Sequence, residues 1–201
     1  MDLNFWHQIW EKNEIGFHEG QANSLLVEYI NELPLSEGGR IFLPLCGKTL
    51  DIAWLLSKGY RVAGSELNKP AVEQLFIELG IEPNISKLGS IYCYSAENID
   101  IFVGDIFDLC REMLGFVDAI YDRAALVALP DKIREKYRLH LLEITGISPQ
   151  LLLTFEYDQK LMKGPPFSIS NDDVKQYYVD SYKLSLLKKI NVPGGLKGKC
   201  D

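Results

Sequence analysis

Arg40-Ile41-Phe42-Leu43-Pro44-Leu45-Cys46-Gly47-Lys48-Thr49 reads as a buried strand that ends in a tight loop and launches a helix. Glu66 stands twenty-one residues after Leu45, at the end of a second strand-like run, Tyr60-Arg61-Val62-Ala63-Gly64-Ser65. Strand, Gly-containing turn, helix, strand and acid form the layout of a nucleoside-binding βαβ unit. The acid sits about 20 residues past the turn, where it accepts hydrogen bonds from ribose hydroxyls.

The same alternation extends in both directions. Upstream, Trp6, Ile9 and Trp10 share one helical face. A Gly-punctuated loop, residues 13–20, leads to a helix capped by Asn23 or Ser24, carrying Leu25, Leu26, Tyr29, Ile30 and Leu33 and ended by Pro34. Downstream of the opening stretch, Thr49 is the expected N-cap of a helix with Asp51 in its first turn, where the helix dipole favours an anion. Gly59 stops that helix. Asn68-Lys69-Pro70 starts the next, which runs to Leu79 and stops at Gly80. Residues 81–90 read as loop. Residues 91–94 and 99–103 read as a hairpin-like insertion whose second run joins the main sheet. Residues 116–121 are a fourth main strand ending at Asp122-Arg123, and Gln150 to Phe155 a fifth. Asn171-Asp172-Asp173 is expected to cap a short helix, and Lys183 to Ile190 to form a strand. The fold class expected is α/β, a doubly wound, mostly parallel Rossmann-like sheet. It forms one domain over residues 1–201, with 1–35 as N-terminal lid and helix and 36–201 as core.

Composition narrows the function. With 47% hydrophobic residues the chain has enough apolar surface for a packed core. A net charge of -7 argues against a broad basic face for nucleic acid. No apolar run reaches the ~18 residues of a membrane span, and Met1-Asp2-Leu3-Asn4 is not the basic start of a secretory signal. A cytoplasmic protein, monomeric and acting on a small molecule, is expected. The four cysteines have no C-x-x-C spacing and the three histidines are scattered. They read as reduced thiols without a metal.

Gly47-Lys48-Thr49 invites comparison with a phosphate loop. Such a loop needs a Gly five positions before the Gly-Lys pair, and that position is Phe42, inside the strand. The pattern G-x-G-x-x-G is absent too. A nucleoside without a pyrophosphate fits better, and S-adenosylmethionine is the candidate. Its adenosine would cross the carboxyl ends of the strands at Leu45-Cys46-Gly47, Glu66, Asp105-Ile106 and Asp122-Arg123. Glu66 would take the ribose, Asp105 and Ile106 the adenine. Each acid has a plainer reading as a helix cap or loop residue. Trp10, with Trp6 and Phe17 nearby, suits a lid whose indole faces the sulfonium; equally, Trp6 and Trp10 fit a core.

Phe5-Trp6-His7-x-x-Trp10, Ile15-Gly16-Phe17-His18, Pro44-Leu45-Cys46-Gly47-Lys48, Gly64-x-Glu66, Asp122-Arg123-x-Ala125-Leu126-Val127-Ala128, Glu156-Tyr157-Asp158 and Gly164-Pro165-Pro166-Phe167 follow in order. This series closely resembles the thiopurine S-methyltransferases of bacterial type, over essentially the whole chain. The resemblance implies a class I S-adenosylmethionine-dependent methyltransferase acting on the sulfur of aromatic and heterocyclic thiols, mercaptopurines among them. It also implies a role in detoxification. By that resemblance Trp10, Leu45, Glu66 and Arg123 are cofactor-binding, Asp105 and Ile106 flank the adenine, and Phe17 covers the acceptor ring. Pro166 belongs to the same acceptor side. The family continues past Asp201 into a last strand and carries a basic residue in the C-terminal loop. Here Lys197 is the candidate substitute, although a Lys lacks the planar fork of Arg.

The reaction expected is an in-line displacement at the sulfonium methyl by a thiolate. Mercaptopurine thiols are acidic, so alignment and exclusion of water matter more than a strong base. Arg123 is the catalytic candidate, holding the sulfur or favouring its anion as a nearby cation. A plainer reading pairs it with Asp122 or Glu66. The competing functions are methyl transfer to another small nucleophile, such as a selenium or tellurium oxyanion or a halide, and a non-catalytic cofactor-sensing module.

Overall fold

The computed structural model describes residues 19–123 and 125–192. Trp10, Phe17 and Lys197, and with them the N-terminal lid, lie outside the described residues. After α1 (Ser24–Tyr29) and a 3-10 turn, a βαβ unit runs through β1 (Arg40–Leu43), α2 (Leu50–Ser57) and β2 (Arg61–Glu66). Then come α3 (Lys69–Leu79), β3 (Asn84–Leu88), β4 (Ile91–Ala96) and β5 (Ile99–Val103). The remainder is α4 (Arg111–Leu114), β6 (Ala119–Asp122), α5 (Ala125–Ala128), α6 (Asp131–Thr145), β7 (Gln150–Leu152) and α7 (Asn171–Tyr178).

The seven strands form one sheet in the order β3-β4-β5-β2-β1-β6-β7. β5, β2, β1, β6 and β7 pair in parallel, while β3–β4 and β4–β5 are antiparallel. The expected doubly wound, mostly parallel sheet is therefore present. β1 has β2 on one side and β6 on the other, which is the switch point where such sheets open a crevice.

Burial on both faces explains why the central strands read as continuous apolar runs. Phe42, Ala63, Phe102 and Ile120 point into one cluster with Tyr137, Leu141 and Ile144 of α6. Their neighbours Ile41, Leu43, Val62, Ile101 and Tyr121 point into the other, with Leu26, Ile52, Leu55, Val72 and Phe76 of α1 to α3. Each fully buried aliphatic or aromatic side chain is worth ~1.5–3 kcal/mol over an exposed one. At the start of β1, Arg40 pairs with Asp100 at 2.7 Å and its backbone N–H donates to Asp118, which ties three strands together far from the crevice.

The helix punctuation follows the side chains that were expected to supply it. Asn23, Thr49 and Asn68 each accept backbone N–H groups at the starts of α1, α2 and α3. Gly80, expected to stop α3, takes the left-handed conformation there, and Gly146 does the same at the end of α6. Four expectations need correction. Residues 84–88 are a strand, β3, rather than loop; four of its five side chains are exposed, so no apolar alternation announced it. The cap of α7 is Ser170, in a reciprocal capping box with Asp173, rather than Asn171. β7 stops at Leu152, short of Phe155. Lys183 to Ile190 forms no strand: it has no ladder partner among the described residues, and its side chains are exposed.

Candidate active site

The Pro44–Thr49 turn is held from β2. Leu45 has φ of 49°, a left-handed conformation that a bulky side chain rarely takes. Its N–H meets the Ser65 hydroxyl at 3.3 Å, and the Cys46 N–H donates to the Ser65 carbonyl at 2.9 Å. Gly47, also left-handed, donates its N–H to Oε2 of Glu66 at 2.8 Å. The other oxygen of Glu66 accepts the Asn68 N–H at 2.8 Å. Two backbone donors thus orient one carboxylate at the end of β2, and Glu66 is only 8% exposed. A carboxylate oxygen can accept two hydrogen bonds, so this acid suits the diol of a ribose as well as the turn.

Beside the turn, Cys46 lies so near β2 that a Cβ on Gly64 would sit 2.9 Å from its sulfur and 2.7 Å from Ile101 Cδ1. Desolvation, then the charge of Glu66, pushes the Cys46 thiol well above its ordinary range. It stays a neutral thiol, in keeping with the free state of Cys46, Cys93 and Cys110. Among the described residues no cluster suits a metal ion.

At the end of β5, Asp105 accepts the Phe107 N–H at 3.0 Å and caps the 3-10 turn Ile106–Asp108. Ile106 is packed in the core at 4% exposure, and its carbonyl accepts a hydrogen bond from His140 Nε2 at 2.7 Å. The pair therefore stands at the strand end, with Asp105 in its capping role.

The end of β6 carries two kinds of charge. Asp122 is fully buried, accepting the Ala125 and Leu126 N–H groups of α5 and the Tyr137 hydroxyl at 2.7 Å. Burial pushes its pKa up to about 6 against those bonds. Arg123 points elsewhere. Its guanidinium lies 2.7 Å from Glu19 and 3.8 Å from Asp51. The anticipated partners were Asp122 and Glu66; the carboxylates found instead are Glu19 and Asp51.

Asp51 joins three segments. It is 1% exposed and accepts the Asn23 N–H at 2.7 Å and the Tyr121 hydroxyl at 3.2 Å. The Asn23 amide in turn donates to Glu19 at 3.2 Å. Glu19, Asn23, Asp51 and Tyr121 were not singled out for the site. Asp51 carried a signal, an acid in the first turn after the strand-end loop, but that position is equally explained by the helix dipole.

On the far side of β6, Pro166 lies in a loop clamped from three directions. Its carbonyl accepts the Tyr157 hydroxyl at 2.6 Å, and the Phe167 N–H donates to the Val127 carbonyl at 2.6 Å. The Arg134 guanidinium stacks over the Phe167 ring at 5.2 Å and donates from Nε to the Leu129 carbonyl. The Gly164–Pro165 and Pro165–Pro166 bonds are cis.

The strand ends around the β1/β6 switch point thus present a buried carboxylate, a turn with no phosphate cradle and a guanidinium. The family profile described as Thiopurine S-methyltransferase matches residues 1–195. The chain belongs to the thiopurine S-methyltransferase family. A thiopurine S-methyltransferase of Xanthobacter autotrophicus is 51% identical over 202 residues, covering 100% of this chain and 95% of that protein. One of Teredinibacter turnerae is 50% identical, covering 99% and 92%. Among solved structures, a SAM-dependent methyltransferase from Anabaena variabilis has a TM-score of 0.60 at 18% identity, covering 89% of this chain and 80% of that one. A TehB-like SAM-dependent methyltransferase from Corynebacterium glutamicum has a TM-score of 0.54 at 14% identity, covering 89% and 82%. These two share the fold. This thiopurine S-methyltransferase family member is an S-adenosylmethionine-dependent methyltransferase with a Rossmann-like sheet. Among its described residues no helix is long and apolar enough to cross a membrane.

Proposed function

We propose that the chain transfers the methyl group of S-adenosylmethionine to the sulfur of aromatic or heterocyclic thiols, thiopurines included. The observation that carries this reading is Arg123, a guanidinium at the end of β6, across the switch point from the turn that Glu66 secures. A fixed cation there suits an anionic sulfur nucleophile. The names of the relatives agree with it.

When bound, the cofactor supplies an electrophilic methyl carbon on a sulfonium. Glu66 would hold its ribose, Leu45 would meet it from the turn, and Asp105 and Ile106 would flank its adenine. Trp10 would close over it. Arg123, also beside the cofactor, would hold the acceptor sulfur as its anion and orient it for in-line attack. Pro166, Phe17 and Lys197 would form the acceptor side, with Tyr157 and Phe167 setting the shape of the loop. No side chain is asked to act as a strong base, because an acidic heteroaryl thiol supplies thiolate near neutral pH. The whole of 1–201 would act as one domain, on a small molecule and in the cytoplasm.

The test is methyl transfer from labelled cofactor to a panel of aromatic thiols, mercaptopurines, selenite, tellurite and halides. Thiols and mercaptopurines are expected to be methylated fastest. Preference for an oxyanion or halide would favour the other small nucleophiles. Tight cofactor binding with no turnover on any acceptor would mark a sensing module.

A further inference from the structure

Arg123 lies between two carboxylates of unlike accessibility. Glu19 is close, at 2.7 Å, and its side chain is 44% exposed. Asp51 is farther, at 3.8 Å, and its side chain is 1% exposed. Asp51 is also bound to the Asn23 N–H and the Tyr121 hydroxyl, so it cannot leave without stranding buried polar groups. Glu19 is bound otherwise to the amide of Asn23, in solvent. The Arg123 side chain is 16% exposed, so the pair opens to solvent only on its Glu19 side, and solvent there weakens its hold.

Charge makes the difference matter. Two carboxylates around one guanidinium leave the group net negative among the described residues. A thiolate arriving there would meet like charge. Once Glu19 moves away, Arg123 and Asp51 balance, and the guanidinium face that Glu19 occupied can take an anion. Asp51 still fixes the other side.

We propose that the two carboxylates do separate jobs: Asp51 is a positioning residue that keeps Arg123 at the strand end, and Glu19 is a stand-in for the anionic acceptor, displaced when the thiolate binds. This rests on the reading that Arg123 holds the acceptor sulfur. It predicts that acceptor affinity is set by a residue of the N-terminal segment in competition with the substrate, and that turnover depends on a buried acid that touches neither substrate nor cofactor.

The test uses the full chain at saturating cofactor with an aromatic thiol assayed above and below the thiol's pKa. Glu19→Gln is expected to lower the acceptor KM about two- to fivefold for the ionised thiol, the range of an ion pair open to solvent on one side, with the change falling on KM rather than kcat. Below the thiol's pKa the KM difference is expected to vanish. Asp51→Asn keeps acceptor and donor capacity for Asn23 and Tyr121 but removes the charge. It is expected to lower kcat about tenfold while the cofactor Kd and Tm stay near wild type. In an Arg123→Lys background, Asp51→Asn is expected to cost little more. An unchanged or raised KM in Glu19→Gln would overturn the displacement, and wild-type kcat in Asp51→Asn would overturn the positioning role. Wild-type kinetics in Arg123→Lys and Arg123→Ala would remove the reading of Arg123 itself. Impaired Arg123 variants beside an unaltered Glu19→Gln would remove only the present inference.

Discussion

Glu66 closes the turn that follows β1 by accepting the Gly47 N–H at 2.8 Å, from a side chain anchored one strand away. The acid that would grip the ribose is therefore also the pin of the loop beneath it. On the proposed reading, binding and loop geometry share one carboxylate, and its substitution is expected to be felt in both.

Glu66→Gln replaces one acceptor oxygen with an amide that cannot accept from Gly47 or Asn68. Cofactor binding is expected to weaken by about 1–3 kcal/mol, the loss for a charge-assisted hydrogen bond. Tm should fall with it, because one buried N–H loses its partner. Titration calorimetry together with thermal unfolding checks this; wild-type affinity would remove the ribose role.

Gly64→Ala tests how closely the turn packs on β2. The added Cβ would crowd Ile101 Cδ1 at 2.7 Å and Cys46 Sγ at 2.9 Å. A destabilisation of about 1–3 kcal/mol is expected from overpacking. Adding Cys46→Ala and Ile101→Val should restore part of it, as measured by urea unfolding.

Much of this region was legible in the sequence because its signals are local. The β1-turn-α2 unit, the acid about 20 residues on and the caps Asn23, Thr49 and Asn68 each depend on residues within a turn or two. The partners of Arg123 were not legible. Glu19 and Asp51 lie far from it in sequence, and only the parallel order β2-β1-β6 brings them to one strand end. β3 failed for a different reason. As an edge strand it exposes Asn84, Ile85, Ser86 and Lys87, so the alternation that marks a half-buried strand is missing. The 183–190 segment failed in the opposite sense: its Leu and Ile content reads as a strand, yet a strand needs a neighbour, and the described residues provide none.

Asp122 predicts a pH dependence of stability. Burial holds its folded pKa near 6 against 3.8 for the free side chain. A raised folded pKa contributes stability that is complete below the unfolded value and lost as pH rises through the folded one. The loss falls between about pH 4 and 6 and is on the order of 2–3 kcal/mol. Asp122→Asn does not titrate, so its stability relative to wild type is expected to rise from about pH 4 to about pH 7. Urea unfolding at both ends of that range checks it; a constant difference would mean that Asp122 has no raised pKa.

Arg134→Ala removes the cation over Phe167 and the bond to the Leu129 carbonyl. The Pro165-Pro166-Phe167 loop is then expected to lose its seat on α6. The acceptor KM should rise several-fold, in line with the ~0.5–2 kcal/mol of a partly buried cation–π contact, while cofactor Kd holds. Steady-state kinetics paired with cofactor titration separates the two.

Sulfur methylation is decided by the atom that receives the methyl group. The direct measurement is carbon NMR of the product formed from methyl-labelled S-adenosylmethionine and a mercaptopurine. The methyl resonance is expected at the position of an S-methyl carbon, with the ring nitrogens unmodified. An N-methyl product, or cofactor bound without transfer to any thiol, would contradict it.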